Sequence, residues 1–88
     1  MKIILLPSVE KQLRKISKVD QIALAKRIRA IEIDQPIPNK EKLSGYKNVF
    51  RTRIGDYRLV YKQTQKITYI ILVGHRKDIY LRLKRLFN

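Results

Sequence analysis

The sequence predicts an α+β fold in which helices lie on an antiparallel sheet, and three observations predict it. Apolar residues recur at helical spacing through residues 8–34, the period changes to two from Tyr46 onward, and helical spacing returns near the carboxy terminus. The chain has 88 residues, which sets one compact domain over residues 1–88 and leaves no room for a second. Its hydrophobic share of 44% suits a folded protein and is too high for a basic disordered tail.

Each element follows from local signals. Residues 3–6 form a short apolar run that Pro7 stops, which suits a small buried strand. Ser8 then caps a helix in which Val9, Leu13 and Ile16 recur at four- and three-residue steps. Ser17-Lys18-Val19-Asp20 has the form of a capping box, and Ile22, Ala25, Ile28 and Ile31 continue one apolar stripe behind it. Two amphipathic helices, arranged as a hairpin, therefore fill residues 8–34. Pro36 and Pro38 forbid continuation, so residues 35–45 read as a connecting loop anchored by Leu43.

The next two strands, residues 48–54 and 57–62, flank Gly55-Asp56, a two-residue loop with glycine first, as a type II′ turn requires. That turn pairs Ile54 with Tyr57 and Arg53 with Arg58. One face of the hairpin then carries Phe50, Thr52, Ile54, Tyr57, Leu59 and Tyr61, and the other Val49, Arg51, Arg53, Arg58, Val60 and Lys62. Residues 67–73 are apolar on both faces apart from Thr68, the mark of an inner strand, and Gly74 ends it. Asp78 caps a last helix with Ile79, Leu83 and Leu86 inward. The order is strand, helix, helix, three strands, helix.

Lys and Arg total 21 against 7 Asp and Glu, a formal charge of +14 that attracts polyanions, nucleic acid first among them. The charge is uneven: residues 1–39 hold eight basic and four acidic residues, and residues 40–88 hold thirteen and three. Without cysteine there are no disulfides, thiolate zinc sites or thiol nucleophiles, and the single histidine builds no metal site alone. No signal peptide or membrane span is legible, which reads as a soluble cytoplasmic protein without a membrane partner. Lys11, Arg14, Lys15, Lys26, Arg27, Arg29, Arg82, Lys84 and Arg85 read as mainly solvated helix charges.

Arg51, Arg53 and Arg58 share one hairpin face, and Arg53 opposite Arg58 is unfavourable unless an anion lies between them. Three guanidinium groups in strand register form a platform for phosphates. Beside it stands Val73-Gly74-His75-Arg76-Lys77-Asp78-Ile79-Tyr80, where a helix starting near Arg76 would set Arg76 and Tyr80 one turn apart. His75 is the only side chain whose ordinary pKa is near neutrality. Asp56 lies in a turn and Asp78 caps a helix, so no carboxylate pair serves glycosidase or metal-assisted chemistry, and the three glycines stand apart. The pattern suits cleavage of an RNA strand without metal or cofactor. There the 2′-hydroxyl is the nucleophile, and the protein aligns it, stabilises the phosphorane and moves protons.

Through Leu43-Ser44-Gly45, Phe50-Arg51-Thr52-Arg53-Ile54-Gly55-Asp56-Tyr57-Arg58-Leu59-Val60-Tyr61 and the stretch from Val73 to Tyr80, the chain resembles the RelE/ParE superfamily of toxins from type II toxin-antitoxin systems. The resemblance covers essentially the whole chain and implies a RelE-like fold. It also implies the activity of the RelE branch, cleavage of messenger RNA in the ribosomal A site. By the same resemblance Arg51 and Arg53 match two basic residues that contact and activate the RNA, and Arg58 matches an arginine that stabilises the phosphate. Arg76 matches an arginine that protonates the leaving 5′-oxygen or stabilises its charge, and Tyr80 a tyrosine that stacks on a base or orients the hydroxyl. Typical members carry Lys where Arg51 and Arg53 stand, and arginine is a poor general base, so His75 or Tyr80 is expected to handle the 2′-hydroxyl proton. The implied partners are the ribosome, messenger RNA and a small RelB-like antitoxin. The antitoxin would wrap the toxin in a hetero-oligomeric complex, covering the basic face or displacing the last helix. Two other readings share the fold: a ParE-like poison of DNA gyrase, and an inactive relative that only binds its antitoxin or nucleic acid.

Overall fold

The computed structural model describes the backbone of residues 1–87 and the side chains of residues 1–86. The elements run β1 (Lys2–Leu5), α1 (Pro7–Lys15), α2 (Lys18–Glu32), β2 (Glu41–Lys42), β3 (Val49–Ile54), β4 (Tyr57–Gln63), β5 (Ile67–His75) and α3 (Ile79–Phe87). They build one five-stranded sheet in the order β1-β5-β4-β3-β2. The sheet is mixed: β1, the first strand, runs parallel to β5, the last, and the remaining pairs are antiparallel. Among the described residues no helix is long and apolar enough to cross a membrane.

The β3–β4 hairpin has the expected register, with Ile54 opposite Tyr57 and Arg53 opposite Arg58. Gly55 takes a φ of 59°, the left-handed value a glycine-first turn needs. Alternation then assigns the faces. Leu59 and Tyr61, with Ile70 and Val73 of β5, pack under Val9 and Ile16 of the first helical segment and Leu24 and Ile31 of α2. On the opposite face Val49, Val60 and Ile71 pack under Ile79 and Leu83 of α3, with Leu43 and Tyr46 at the margin. A bulge between Val60 and Tyr61 shifts the β4–β5 register.

Five expectations need correction. The loop expected over residues 35–45 contains β2, whose two residues are both exposed and so leave no alternating pattern to read. Helix α1 starts at Pro7 with Leu6 as its cap, because proline needs no backbone donor in the first turn; Ser8 is inside it. Ser17 does cap α2, its Oγ accepting from the Asp20 N–H at 3.4 Å. Within α2, however, Ile22 is 52% exposed, and Leu24, Ile28 and Ile31 form the stripe that meets the sheet. Strand β5 continues through Gly74 to His75. A Cβ on Gly74 would approach an Arg82 guanidinium nitrogen to 3.1 Å, so the glycine leaves room for the Arg82 side chain of α3 against the strand. Leu86 is exposed, and half-buried Arg82 instead turns toward β5, donating from Nη1 to the Val73 carbonyl at 3.2 Å.

Candidate functional site

The three arginines expected to share one hairpin face do so, on the α3 side of the sheet. Arg51 and Arg53 alternate on β3, and Arg58 stands opposite Arg53 on β4, so all three guanidinium groups lie on one face. With Asn39 and Glu41 they line a cavity of about 160 Å³. The start of α3 brings Tyr80 over this group. Its hydroxyl accepts a hydrogen bond from Arg58 Nη1 at 2.9 Å, and its ring centre lies 5.2 Å from Arg51 Cζ and 5.4 Å from Arg58 Cζ.

Electrostatics follow from this crowding. Burial, and then repulsion from Arg51 and Arg53 with a smaller contribution from Arg76, hold the Arg58 guanidinium below the usual arginine range, while Glu41 opposes the shift. The Nε of Arg58 is buried without a hydrogen-bond partner. Arg51 directs Nε and Nη2 to a single oxygen, Glu41 Oε2, at 3.2 and 2.6 Å. That hydrogen bond and the Arg51 charge hold the Glu41 carboxyl below the usual carboxylate range, aided by Arg58 and Arg53 and opposed by desolvation.

The remaining sequence candidates fall in two places. Arg76 lies in the turn before α3, so it does not share a helix face with Tyr80; its backbone N–H donates to the Asp56 carbonyl at 2.9 Å, tying this turn to the hairpin tip. Its side chain is exposed, and its charge reaches Arg58. His75 pairs with Tyr57 across β4–β5, one step out of phase with Arg58 and Gly74, and this puts it on the opposite side of the sheet from the arginines. Its ring meets the Tyr57 ring edge-on at 5.9 Å between centres, and Nδ1 accepts from the Lys77 N–H at 3.3 Å. The neutral imidazole therefore carries its proton on Nε2.

Two residues escaped the sequence reading. Glu41 enters the cavity only because β2 pairs it with Arg51. Arg27, grouped by sequence with solvated helix charges, is half-buried: its Nη1 donates to the Pro38 and Arg53 carbonyls at 3.2 Å and to Thr52 Oγ1. A mid-helix arginine one residue before inward Ile28 was the only hint.

Comparison with known proteins bears on the family and the fold. The family model for the ParE toxin of type II toxin-antitoxin systems, parDE, matches residues 3–80. A chain of the RelB-RelE antitoxin-toxin complex from Methanococcus jannaschii superposes with a TM-score of 0.77 at 21% identity, covering 90% of this chain and 96% of that one. The isolated E. coli RelE toxin gives 0.73 at 22% identity over 99% and 98% of the two chains. YafQ from E. coli gives 0.77 at 20% identity over 90% and 97%. A search of curated proteins by sequence finds no match.

Proposed function

The chain belongs to the ParE toxin family of type II toxin-antitoxin systems, within the RelE/ParE superfamily; from the arginine cavity, rather than from the family match, we propose that it is a ribosome-dependent endoribonuclease that blocks translation by cutting messenger RNA. The observation that carries the proposal is the cavity of Arg51, Arg53 and Arg58 beneath Tyr80. Burial, and then repulsion from Arg51 and Arg53, disfavour the Arg58 charge in the free protein, and a phosphodiester would relieve the repulsion.

In the proposed reaction the 2′-oxygen attacks phosphorus and the bond to the 5′-oxygen breaks, giving a 2′,3′-cyclic phosphate and a 5′-hydroxyl. Arg53 and Arg58 grip the non-bridging oxygens, whose charge grows in the phosphorane, and Arg51 supports them. Arg76, exposed in the turn before α3, offsets the charge on the leaving 5′-oxygen, which takes its proton from solvent water. Of the two side chains proposed for the 2′-hydroxyl proton, Tyr80 is among the arginines and His75 is across the sheet, so Tyr80, in its phenolate form, takes the proton and orients the hydroxyl. His75→Ala is expected to leave cleavage unchanged.

The proposed partners are the ribosome with its messenger RNA in the cytoplasm, and a RelB-like antitoxin forming a hetero-oligomer; the M. jannaschii and E. coli relatives include RelB-RelE complexes. The test adds the purified chain to a translating extract and maps transcript ends by primer extension. Breaks at A-site codons that vanish without ribosomes support the proposal. Intact transcripts accompanied by trapped gyrase-DNA complexes would overturn it in favour of a gyrase poison, the reading that the ParE family match favours. Intact transcripts with neither effect leave a chain that only binds.

A further inference from the structure

Glu41 is the one acidic side chain lining the arginine cavity, and it occupies an unusual place there. An arginine grips a phosphate through two parallel donors, and Nε with Nη2 is one such pair. In Arg51 this pair is spent on Glu41 Oε2. The carboxylate is therefore bound where a substrate phosphate would bind. Three cations and one carboxylate line the cavity, so Glu41 removes a third of its positive charge before any ligand arrives.

The arrangement is not a stability device. The Glu41 side chain is 60% exposed and that of Arg51 22%, and an ion pair with one partner in solvent contributes little to folding. Nor is it rigidly held, because Glu41 lies on a two-residue strand at the edge of the sheet. A pair open to solvent on its Glu41 side, with that residue on a short edge strand, is easily exchanged for a better anion. We propose that Glu41 is a built-in substitute for phosphate, a positioning residue that holds the gripping edge of Arg51 in the cavity and is displaced when a phosphodiester binds. In the free chain it keeps Arg51 aimed inward, and at the same time it sets how strong an anion must be to enter. The substrate class this selects is a strand of linked phosphodiesters, which brings neighbouring charges to other cations of the surface, over a single free phosphate. The inference rests on the proposed RNA reading for the identity of the substrate and on the cavity alone for the exchange.

The test titrates inorganic pyrophosphate and a single-stranded oligouridylate into the purified chain and its Glu41→Gln, Arg51→Gln and double variants at fixed ionic strength. Asp56→Asn, the same charge change at the hairpin tip, measures the long-range effect. Glu41→Gln is expected to bind pyrophosphate about fivefold tighter than the wild type. Asp56→Asn is expected to change affinity less than about twofold. In the Arg51→Gln background the gain should vanish, which separates displacement from simple charge removal. Equal affinity for Glu41→Gln and wild type, a gain no larger than that of Asp56→Asn, a gain that survives loss of Arg51, or no pyrophosphate binding by either protein would each overturn the inference. Tighter pyrophosphate binding with no oligouridylate binding and no transcript cleavage would uphold the exchange and sink the RNA reading. A-site cleavage with no effect of Glu41→Gln would do the reverse.

Discussion

Arg27 and Arg58 are half-buried guanidinium groups on opposite faces of one sheet, and their surroundings differ in kind. Arg27 meets neutral acceptors: the carbonyls of Pro38 and Arg53 and the hydroxyl of Thr52. No cation is part of that arrangement, and it ties α2 to β3 and to the loop before β2. Arg58 meets other cations. Arg51, Arg53 and Arg76 all disfavour its charge, and one of its buried donors has no partner. A guanidinium whose donors are matched by fixed backbone oxygens is part of the framework. One whose neighbours repel it is poised for an anion from outside. Sequence spacing does not distinguish the two; the acceptors within reach do.

The largest expected effect tests the second half of that contrast. Arg58→Gln removes the central donor of the cavity and is expected to lower ribosome-dependent cleavage about 100- to 1,000-fold, the usual consequence of losing one donor to a developing oxyanion. Its thermal midpoint should not fall, because the substitution also removes a repulsive charge. Cleavage unchanged, or a midpoint lowered as far as in a core variant, would dissolve the contrast.

Arg27→Ala tests the first half. Hydrogen bonds from a charged donor contribute more than neutral ones, and this residue's partners include the fully buried Thr52, so a loss of about 2 kcal/mol of unfolding free energy is expected in urea titrations. Pyrophosphate affinity of the folded fraction should stay within about twofold of wild type, since Arg27 is on the other face. A stable Arg27→Ala protein with impaired anion binding would reverse the two assignments.

The same contrast explains what was legible in the sequence. Period-two alternation and a glycine-first turn are local, so the β3–β4 register and the face shared by Arg51, Arg53 and Arg58 could be read directly. Stripe positions in α2 were not, because apolar residues surround that helix; which of Ile22 and Leu24 turns inward depends on where the sheet is. Strand β2 was invisible for a related reason. Both of its residues are charged and exposed, and only the β3 edge makes them a strand, so Glu41 escaped along with it. His75 was placed with the arginines by proximity in sequence, yet a single step of strand alternation separates the faces. The role of Arg27 is set by contacts 11 to 26 residues away, beyond any local pattern.

A smaller effect sharpens the repulsive side. Arg53→Gln takes a like charge from opposite Arg58 and from the vicinity of Arg51, and is expected to raise unfolding free energy by up to about 1 kcal/mol at low salt. The gain should shrink as salt screens the pair, while pyrophosphate affinity drops. A gain independent of salt would assign it to strand propensity instead.

The smallest effect at neutral pH probes an exception on the Arg27 side. Tyr61 is fully buried in the core under α1 and α2, and its hydroxyl has no hydrogen-bond partner. Burial pushes that phenol up from its usual value of 10.0 to about 12, with the Arg27 charge opposing. Tyr61→Phe removes an unpaired polar atom and keeps the ring, so unfolding free energy should rise by about 0.5 kcal/mol at pH 7 rather than fall. The sign of the pH dependence follows from the raised value. Below pH 10 both folded and unfolded chains keep the proton, and the residue contributes no slope. Between pH 10 and about 12 the unfolded chain releases it while the folded chain retains it, so wild-type stability declines with rising pH. Lysines titrate over the same range in both proteins and cancel in the difference. The gap between Tyr61→Phe and wild type should therefore be flat below pH 9 and widen above pH 10. A gap that stays flat throughout would mean that water or a partner reaches the hydroxyl, and that this face of the sheet leaves no polar group unmatched.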